Sequence, residues 1–315
     1  MIVPKQFQRV FDQWTDEDIN VGHADWTSKH RRHMGAQVEC DGERCYAKLA
    51  LANRVDQDEP EMLNGMRREV WWSRVIEKLS QAKVFFPFVS PRTIATNVDD
   101  EPFIDTVAWV IMEHIDGGPI VDLANSSDEQ FDCFLSAAIT SLLALEQIHP
   151  RMLDVLGLPP LPSPPHGMRR WQKRGLLDMT TAVLGNGAFE VENFWRDTNG
   201  RIVVMDNEFA GWYPRYDHLS YLYHRLYCNG MRPDLAERML DRYMQEAMRA
   251  GDFNASPDSL IGFWKSFARI LKPRVLGGWY YDTVRRRLPP WHKKQRLRYG
   301  LIWHMLRGHY GKLLY

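Results

Sequence analysis

A short hairpin pattern in the middle of the chain carries residue types that bind a hard divalent cation. The segment NFWRDTNGRIVVMDNE (193–208) has apolar, extended residues on both sides of an Asn-Gly pair, the strongest short signal for a two-residue hairpin turn. A turn centred there places Asn193 opposite Asp206, with their Cβ atoms about 4.5–5.5 Å apart. Glu208 adds a second carboxylate. These oxygens suit Mg²⁺, which takes few protein ligands and completes its shell with water and phosphate. The alternative is that Asn and Asp serve only as turn and capping residues.

A second feature places two charges inside the protein. Alternation along the strand predicted at 45–51 puts Lys48 on a face otherwise formed by Tyr46 and Ala50. In the helix that follows, Glu69 falls on a largely apolar stripe with Met66. A buried ammonium and a buried carboxylate are costly unless they are paired. The sequence therefore predicts that Lys48 and Glu69 meet beneath the sheet, the alternative for each being a surface charge.

The order of these features resembles the aminoglycoside phosphotransferase and choline kinase family, which has a two-lobed protein-kinase-like fold. A strand with Lys48, a helix with Glu69, the segment VIMEHIDGG at 110–118 and the metal-binding Asp206 follow one another as in that family. The resemblance covers roughly residues 20–225. It implies transfer of phosphate from ATP, with Mg²⁺, to a small-molecule hydroxyl or amine acceptor whose identity the sequence does not indicate.

The resemblance also implies individual roles. Lys48 would contact the α- and β-phosphates, and Glu69 would orient Lys48. The other roles implied are adenine binding by the backbone around Glu113, His114 and Ile115, Mg²⁺ binding by Asn193 and Asp206, and a structural role for Asp217 in RYDHLSYLY.

The catalytic loop departs from the family pattern, which reads His-Gly-Asp, four further residues and Asn. This chain has Asn186-Gly187-Ala188 before Asn193, so a methyl group stands at the position of the catalytic base. The interval from Ala188 to Asp206 is the usual one, which argues against misalignment. Loss of a general base costs on the order of 10² to 10⁴ in rate, or about 3–5.5 kcal/mol. We therefore expect nucleotide binding to survive and turnover to be absent or strongly impaired.

Three explanations for Ala188 are compatible with the sequence. The residue is an engineered inactivating substitution in a kinase, or a natural loss that makes a nucleotide-binding pseudokinase without catalysis. In the third explanation Glu190 or Glu192 supplies the proton acceptor. The third is the weakest, because alternation around an extended Asn193 aims both glutamates elsewhere.

The elements that position these residues fall into two parts. Hydrophobic periodicity predicts a hairpin at 35–51 around Asp-Gly, a helix from about 56 to 79 and a strand at 106–114. Beyond residue 118 the pattern is mainly helical, clearest at 128–149, with further helices at about 217–250, 257–272 and 290–312. The predicted fold class is α+β, with a small β-rich lobe over residues 1–115 and a larger helical lobe over 116–315.

Composition excludes several classes of protein. The 315 residues contain 40 Lys+Arg and 40 Asp+Glu, so no overall charge recruits nucleic acid or a membrane. Four cysteines have neither zinc-site spacing nor disulfide-scaffold density; Cys40 and Cys45 could be bridged across their turn, but two reduced thiols are favoured. No stretch is long and apolar enough to span a bilayer, and the N-terminus lacks a signal-peptide pattern, so a cytoplasmic location is expected.

The C-terminal region is locally basic. After Asp282 no acidic residue follows, while nine Lys and Arg residues alternate with Trp and Tyr. Such a segment can bind an anionic surface. The alternative, which we favour, is a helix packed on the larger lobe through Leu297, Leu301 and Met305. The sequence thus predicts at most weak contact with an anionic surface, and nucleic acid is an unfavoured partner.

Overall fold

The computed structural model describes residues 19–20, 27–30, 33–51, 59–84, 86–99, 107–252, 254 and 256–306. The N-terminal part of the described chain is strand-rich and the larger C-terminal part is helical, which confirms the predicted α+β class. No helix in these ranges is long and apolar enough to cross a membrane.

The N-terminal part is built on a six-stranded antiparallel sheet. Its order is β1-β3-β4-β6-β5, and β2 also pairs with β3. The predicted Asp-Gly hairpin is confirmed: Asp41 and Gly42 both have positive φ, and the register pairs Cys40 with Glu43. Cys40 and Cys45 are free and buried, as favoured. The strands are β1 (Ile19–Asn20), β2 (Thr27–His30), β3 (His33–Cys40), β4 (Glu43–Leu51), β5 (Thr93–Thr96) and β6 (Val107–Glu113).

Helix α1 (Glu59–Gln81) joins the two parts of the protein. Met66 and Val70 pack with Ala108 and Val110 on the sheet. Other side chains of α1, from Trp71 to Leu79, belong to the main core, which α1 shares with the helical part. The helix that carries Glu69 is therefore held from both sides.

Short strands connect the two parts and form the hairpin of the segment 193–208, which is called the metal motif below because a metal site is predicted there. β7 (Gly117–Pro119) pairs with β9 (Phe194–Asp197), and β9 pairs with β10 (Ile202–Val204). A separate pair joins β8 (Val183–Gly185) to β11 (Gly211–Tyr213).

The helices of the C-terminal part follow the predicted pattern with several differences, and the helix at His166–Lys173 was not predicted. The predicted 128–149 helix ends at Glu146, and a new helix begins at Pro150. The 217–250 segment breaks at 230–232, where Met231 has φ of 54°. The 257–272 helix continues through Pro273 to Tyr280, because buried packing outweighs the missing N–H. The helices are α2 (Asp128–Glu146), α3 (Pro150–Val155), α4 (His166–Lys173), α5 (Asp217–His224), α6 (Pro233–Arg249), α7 (Pro257–Tyr280) and α8 (Lys293–Leu306).

Candidate functional site

The structure brings Lys48 and Glu69 together beneath the sheet. The Lys48 ammonium donates to both carboxylate oxygens of Glu69, at 2.8 and 2.7 Å, and the side chains are only 12% and 7% exposed. Lys48 pairs in the sheet with Gly35 on one side and Val110 on the other, so its backbone is fixed by both neighbouring strands. The two inward charges that alternation predicts thus form a buried ion pair.

Two carboxylates of the metal motif face the same ammonium. Burial by itself lowers the pKa of Lys48, but the attraction of Glu69, its hydrogen bond, and the charges of Asp206 and Glu208 outweigh burial and raise the pKa. Lys48 therefore stays charged at neutral pH. The sheet residue and the hairpin residues, which are far apart in the sequence, share one electrostatic site.

The hairpin has a different register from the one predicted. Val204 pairs with Phe194, and Val203 pairs with Trp195, so every pair is shifted by one residue. The predicted pairing of Asn193 with Asp206 is wrong, because the loop has three residues and Gly200, with φ of 80°, is its last. Asp197 Oδ1 accepts hydrogen bonds from the backbone N–H groups of Asn199 and Arg201, which stabilises this longer loop.

Asn193 and Asp206 still flank the open end of the hairpin. The backbone N–H of Met205 donates to the Asn193 carbonyl at 2.9 Å, which leaves Asp206 one residue beyond the pair. Asp206 itself has φ of 57°, a left-handed conformation that is uncommon outside glycine. Backbone conformations of this kind are concentrated at functional sites.

The oxygen donors fit a hard cation. Asn193 Nδ2 donates to the Ala188 carbonyl at 2.8 Å, so the other end of this amide, Oδ1, is the oxygen it can offer. Half-buried Asp206 and Glu208 supply carboxylates. One amide oxygen and two carboxylates are a ligand set that suits Mg²⁺. In the described part of the chain, no group made up of three or more His, Cys, Asp or Glu side chains could hold a metal ion.

Arg68 supports this segment from α1, and the sequence reasoning missed it. Its side chain is fully buried, and Nε donates to the Glu208 carbonyl at 2.7 Å. Since Arg68 is adjacent to Glu69, one turn of α1 holds both Lys48 and the metal-motif backbone. An arginine beside Glu69 was the available signal, but a charged residue in a helix usually faces solvent.

The segment predicted to be the catalytic loop is held by hydrogen bonds at Ala188, the predicted position of the missing base. Ala188 is buried, its N–H donates to Asn186 Oδ1 at 3.2 Å, and its carbonyl accepts from Glu190 N–H as well as from Asn193. Gly187 has φ of 70°, and a Cβ there would lie 2.4 Å from the Phe209 carbonyl oxygen. Both backbone groups of Ala188 are therefore hydrogen-bonded without a carboxylate at 188, whereas the buried Asn186 Nδ2 has no partner among the described residues.

A neutral histidine fixes this loop from α5. The N–H of Gly187 donates to His218 Nε2 at 3.2 Å. Burial lowers the pKa of His218 to about 4, despite the opposing charge of Asp217. The imidazole is thus neutral at physiological pH and can accept this hydrogen bond. Sequence reasoning did not identify His218.

Glu190 and Glu192 are engaged elsewhere. Arg225 Nη2 lies 2.8 Å from Glu190 and 3.3 Å from Glu192, and the Tyr221 hydroxyl also donates to Glu190. Both carboxylates are thus already engaged by Arg225, and Glu190 by Tyr221 as well. This arrangement argues against either glutamate as a replacement base.

Asp217 begins α5 and is only 2% exposed. Its carboxylate accepts from Arg274 of α7 at 2.6 Å, and Arg274 Nε also donates to Ser220. The bond ties the helix that carries His218 to α7, in line with the structural role that the resemblance implies for Asp217.

The segment between the two parts of the protein lies next to the hairpin. β6 ends at Glu113, whose carboxylate is 3.6 Å from Arg201 of the hairpin. His114 is 3.4 Å from the Asp116 carboxylate, and Ile115 is buried. Glu113 pairs in the sheet with Cys45, three residues from Lys48. The structure therefore places Glu113, His114 and Ile115 at the same junction as the ion pair and the metal motif.

Comparison with solved structures identifies the fold. No family model and no curated protein matches the sequence. The wild-type aminoglycoside 2'-phosphotransferase-IIIa in its GDP complex superposes with a TM-score of 0.53 at 11% identity, covering 97% of this chain and 100% of that one. The streptomycin–ATP ternary complex of APH(2")-IIa gives a TM-score of 0.52 at 11% identity, covering 100% and 99%. The aminoglycoside phosphotransferase APH(4)-Ia gives a TM-score of 0.52 at 11% identity, covering 96% of this chain and 98% of that one. The chain therefore shares the two-lobed, kinase-like fold of aminoglycoside phosphotransferases, as predicted.

Proposed function

We propose that this protein binds ATP with Mg²⁺ between a lobe of residues 1–115 and a lobe of residues 116–315, on a scaffold for phosphate transfer to a small-molecule hydroxyl or amine. The observation that carries the proposal is the buried Lys48–Glu69 ion pair. The negative charges of Asp206 and Glu208 also stabilise the charged form of Lys48. A cation within electrostatic range of two further carboxylates is an arrangement that suits a metal–phosphate complex. Two of the structural neighbours are complexes with GDP and with ATP, which agrees with this choice of ligand.

Each residue has a role in this proposal. Lys48 contacts the α- and β-phosphates and Glu69 orients it, while the backbone from Glu113 through His114 to Ile115 receives the adenine. Asn193, Asp206 and Glu208 hold the metal ion, which when bound neutralises phosphate charge. Asn186 accepts from the Ala188 N–H and so shapes the loop beneath the phosphates.

Ala188 limits this scaffold to weak or absent turnover. Positioning and metal electrostatics provide most of the catalysis of phosphoryl transfer and do not need residue 188. Removal of the proton from the acceptor hydroxyl does need a base at residue 188. The neighbouring Glu190 and Glu192 are both paired with Arg225. In this proposal the chain is a phosphotransferase scaffold with alanine at the position of the catalytic base, whether by engineering or by natural loss.

A pseudokinase is the second candidate, and the hydrogen bonds made by the Ala188 backbone favour it. Both backbone groups of Ala188 are hydrogen-bonded, so the loop keeps its shape without the missing carboxylate. In this case the nucleotide is a structural ligand and the protein acts by binding.

Restoring the carboxylate separates the candidates. In Ala188→Asp we expect nucleotide hydrolysis, or transfer to an acceptor from a metabolite panel, to rise by about 10²-fold or more, because a general base is regained. Phosphate release and mass spectrometry of the panel provide the readouts. Ala188→Asn, which has the same size but cannot accept the proton, is the matched control and is expected to stay inactive.

The outcomes differ for each candidate. Activity in the Asp variant alone supports an intact phosphotransferase site that lacks one group. Retained nucleotide binding with no activity in either variant favours the pseudokinase. Absence of nucleotide binding at millimolar concentration in folded wild-type protein would reject both.

A further inference from the structure

The end of the described chain carries a surplus of positive charge on its surface. Residues 259–306 contain eleven Lys and Arg residues and one acidic residue, Asp282. Asp282 is buried, so no carboxylate from this stretch is exposed. The balanced charge of the whole chain therefore conceals a strongly basic region.

Four of these cations pair with carboxylates of the protein. Arg274 pairs with Asp217, while Asp282 accepts from Arg298 at 2.6 Å and lies 3.4 Å from Lys294 and 3.9 Å from Arg286. The packing alternative for the C-terminal helix is thus correct for α8, where Leu301 and Met305 are also buried.

The other seven cations are exposed, and none has a carboxylate partner among the described residues. They lie on α7, on the turn after it and on α8, elements that pack against one another. We call this set, together with the exposed aromatic residues described below, the α7–α8 surface. The seven are Lys265, Arg269, Lys272, Arg285, Arg287, Lys293 and Arg296.

A groove between α7 and α8 joins the charges to an apolar floor. Its volume is about 400 Å³, and three of the seven cations border it. Ala268, Leu276, Ile302 and Met305 supply aliphatic side chains. A cationic rim over an aliphatic floor matches an anionic amphiphile, because one end of such a molecule pairs with charge and the other avoids water.

Exposed aromatic side chains cluster around the same region. Trp291 is 78% exposed, and Tyr280 and Trp303 are each 53% exposed. Of the eleven large hydrophobic residues that are exposed in the described part of the chain, seven lie between residues 276 and 303. Trp and Tyr are enriched where proteins meet the membrane–water interface, because their rings are apolar and their N–H or O–H groups are polar.

We propose that the α7–α8 surface docks the protein on an anionic lipid membrane. Lipid headgroup phosphates pair with the seven cations. The exposed rings enter the interfacial layer, where the aliphatic side chains of the groove contact lipid. A second copy of the chain would bring like charges together. Nucleic acid would satisfy the cations, but it would leave the aliphatic groove exposed to water.

Vesicle binding tests this surface. Full-length protein is sedimented with vesicles of phosphatidylcholine alone and of phosphatidylcholine with about 30% phosphatidylserine. We expect binding only to the anionic vesicles, and we expect it to weaken as salt rises from about 0.05 to 0.3 M. The triple variant K265E/R269E/K272E is expected to bind at least about 100-fold more weakly, since each basic residue near the leaflet adds about fivefold.

A charge-matched variant controls for the change in net charge. K78E/R151E/K173E reverses three exposed cations on α1, α3 and α4 and is expected to bind within about twofold of wild type. Melting temperatures and circular dichroism confirm that both variants are folded. Duplex DNA at equal phosphate concentration is the competing probe.

Three results would overturn the proposal: no preference for anionic vesicles, equal loss of binding in both triple variants, or tighter binding to DNA than to vesicles. Vesicle binding that is lost in K265E/R269E/K272E and kept in K78E/R151E/K173E supports the proposal. None of these outcomes depends on nucleotide binding, so the proposed function stands or falls separately.

Discussion

Lys48 is held in position by Glu69 and lies within electrostatic range of Asp206 and Glu208, two of the proposed metal ligands. Its bond to Glu69 links the sheet to α1, and the neighbouring Arg68 links α1 to the backbone at Glu208. At the scale of single residues, one helical turn therefore organises the candidate site.

Removing one member of the Lys48–Glu69 pair should lower the free energy of unfolding more than removing both. Lys48→Met leaves the Glu69 carboxylate buried without its partner, and we expect a loss of about 3 kcal/mol in the free energy of unfolding. In Lys48→Met/Glu69→Met most of this loss should be recovered, while ATP binding should stay at least tenfold weaker than in wild type. Urea denaturation and nucleotide titration measure the two effects. A double variant that binds ATP normally would show that the pair is structural only.

His218 should make the protein sensitive to acid. Its pKa is about 4 in the folded state, against an ordinary value of 6.5 that applies when unfolded. The unfolded state therefore binds the proton first, so stability is present above pH 6.5 and is lost as the pH falls toward 4. We expect His218 to account for about 2 kcal/mol of lost stability between pH 7.5 and 5.

Two glutamine variants isolate this contribution. His218→Gln keeps an acceptor for the Gly187 N–H but cannot be protonated, so its unfolding free energy should fall less between pH 7.5 and 5. His166→Gln, at an exposed histidine of α4, should follow wild type. Parallel pH dependence in wild type and His218→Gln would contradict this assignment.

Some of these residues are readable from the sequence and others are not. Alternation in a strand and a stripe on a helix identify Lys48 and Glu69, because inward charges break an otherwise apolar pattern. Arg68 and His218 act through backbone groups more than 30 residues away in the chain. No local periodicity reports such contacts.

At the scale of elements, the metal-motif hairpin shows how turn chemistry sets register. Asn199-Gly200 predicts a two-residue turn, but the Asp197 carboxylate binds two backbone N–H groups of the loop and lengthens it by one residue. A one-residue change in loop length shifts every cross-strand pair. The composition of the site at its open end was predictable, whereas the pairing of its side chains was not.

Asp282 joins α7, the turn after it and α8, and this contact should carry much of their mutual stability. Asp282→Asn leaves the buried Arg298 guanidinium without a charged partner, and we expect a cost of about 3–5 kcal/mol in unfolding free energy. Glu246→Gln removes an exposed pair with Arg249 on α6 and should cost less than about 1 kcal/mol. Urea denaturation of both variants provides the comparison, and similar small losses would mean that Asp282 is not the link between these helices.

At the scale of the whole molecule, the order of elements was more informative than any single one. A hairpin, a helix, a further strand and then a long helical region predict the two-part architecture, and the solved structures confirm that fold. Breaks within the helical region were harder to place. Pro273 lies inside α7, because the buried side chains around it keep the helix intact.

Magnesium-dependent nucleotide binding is the most direct test of the whole account. Calorimetric titration of ATP into the full chain, with and without Mg²⁺, should give a Kd below about 1 mM with the metal present. Omitting Mg²⁺ or introducing Asp206→Asn, which tolerates the left-handed backbone at 206, should weaken binding at least about tenfold. Binding that is unchanged by both, or no binding at millimolar ATP to folded protein, would contradict the assignment of Lys48 and Asp206 to a nucleotide–metal site.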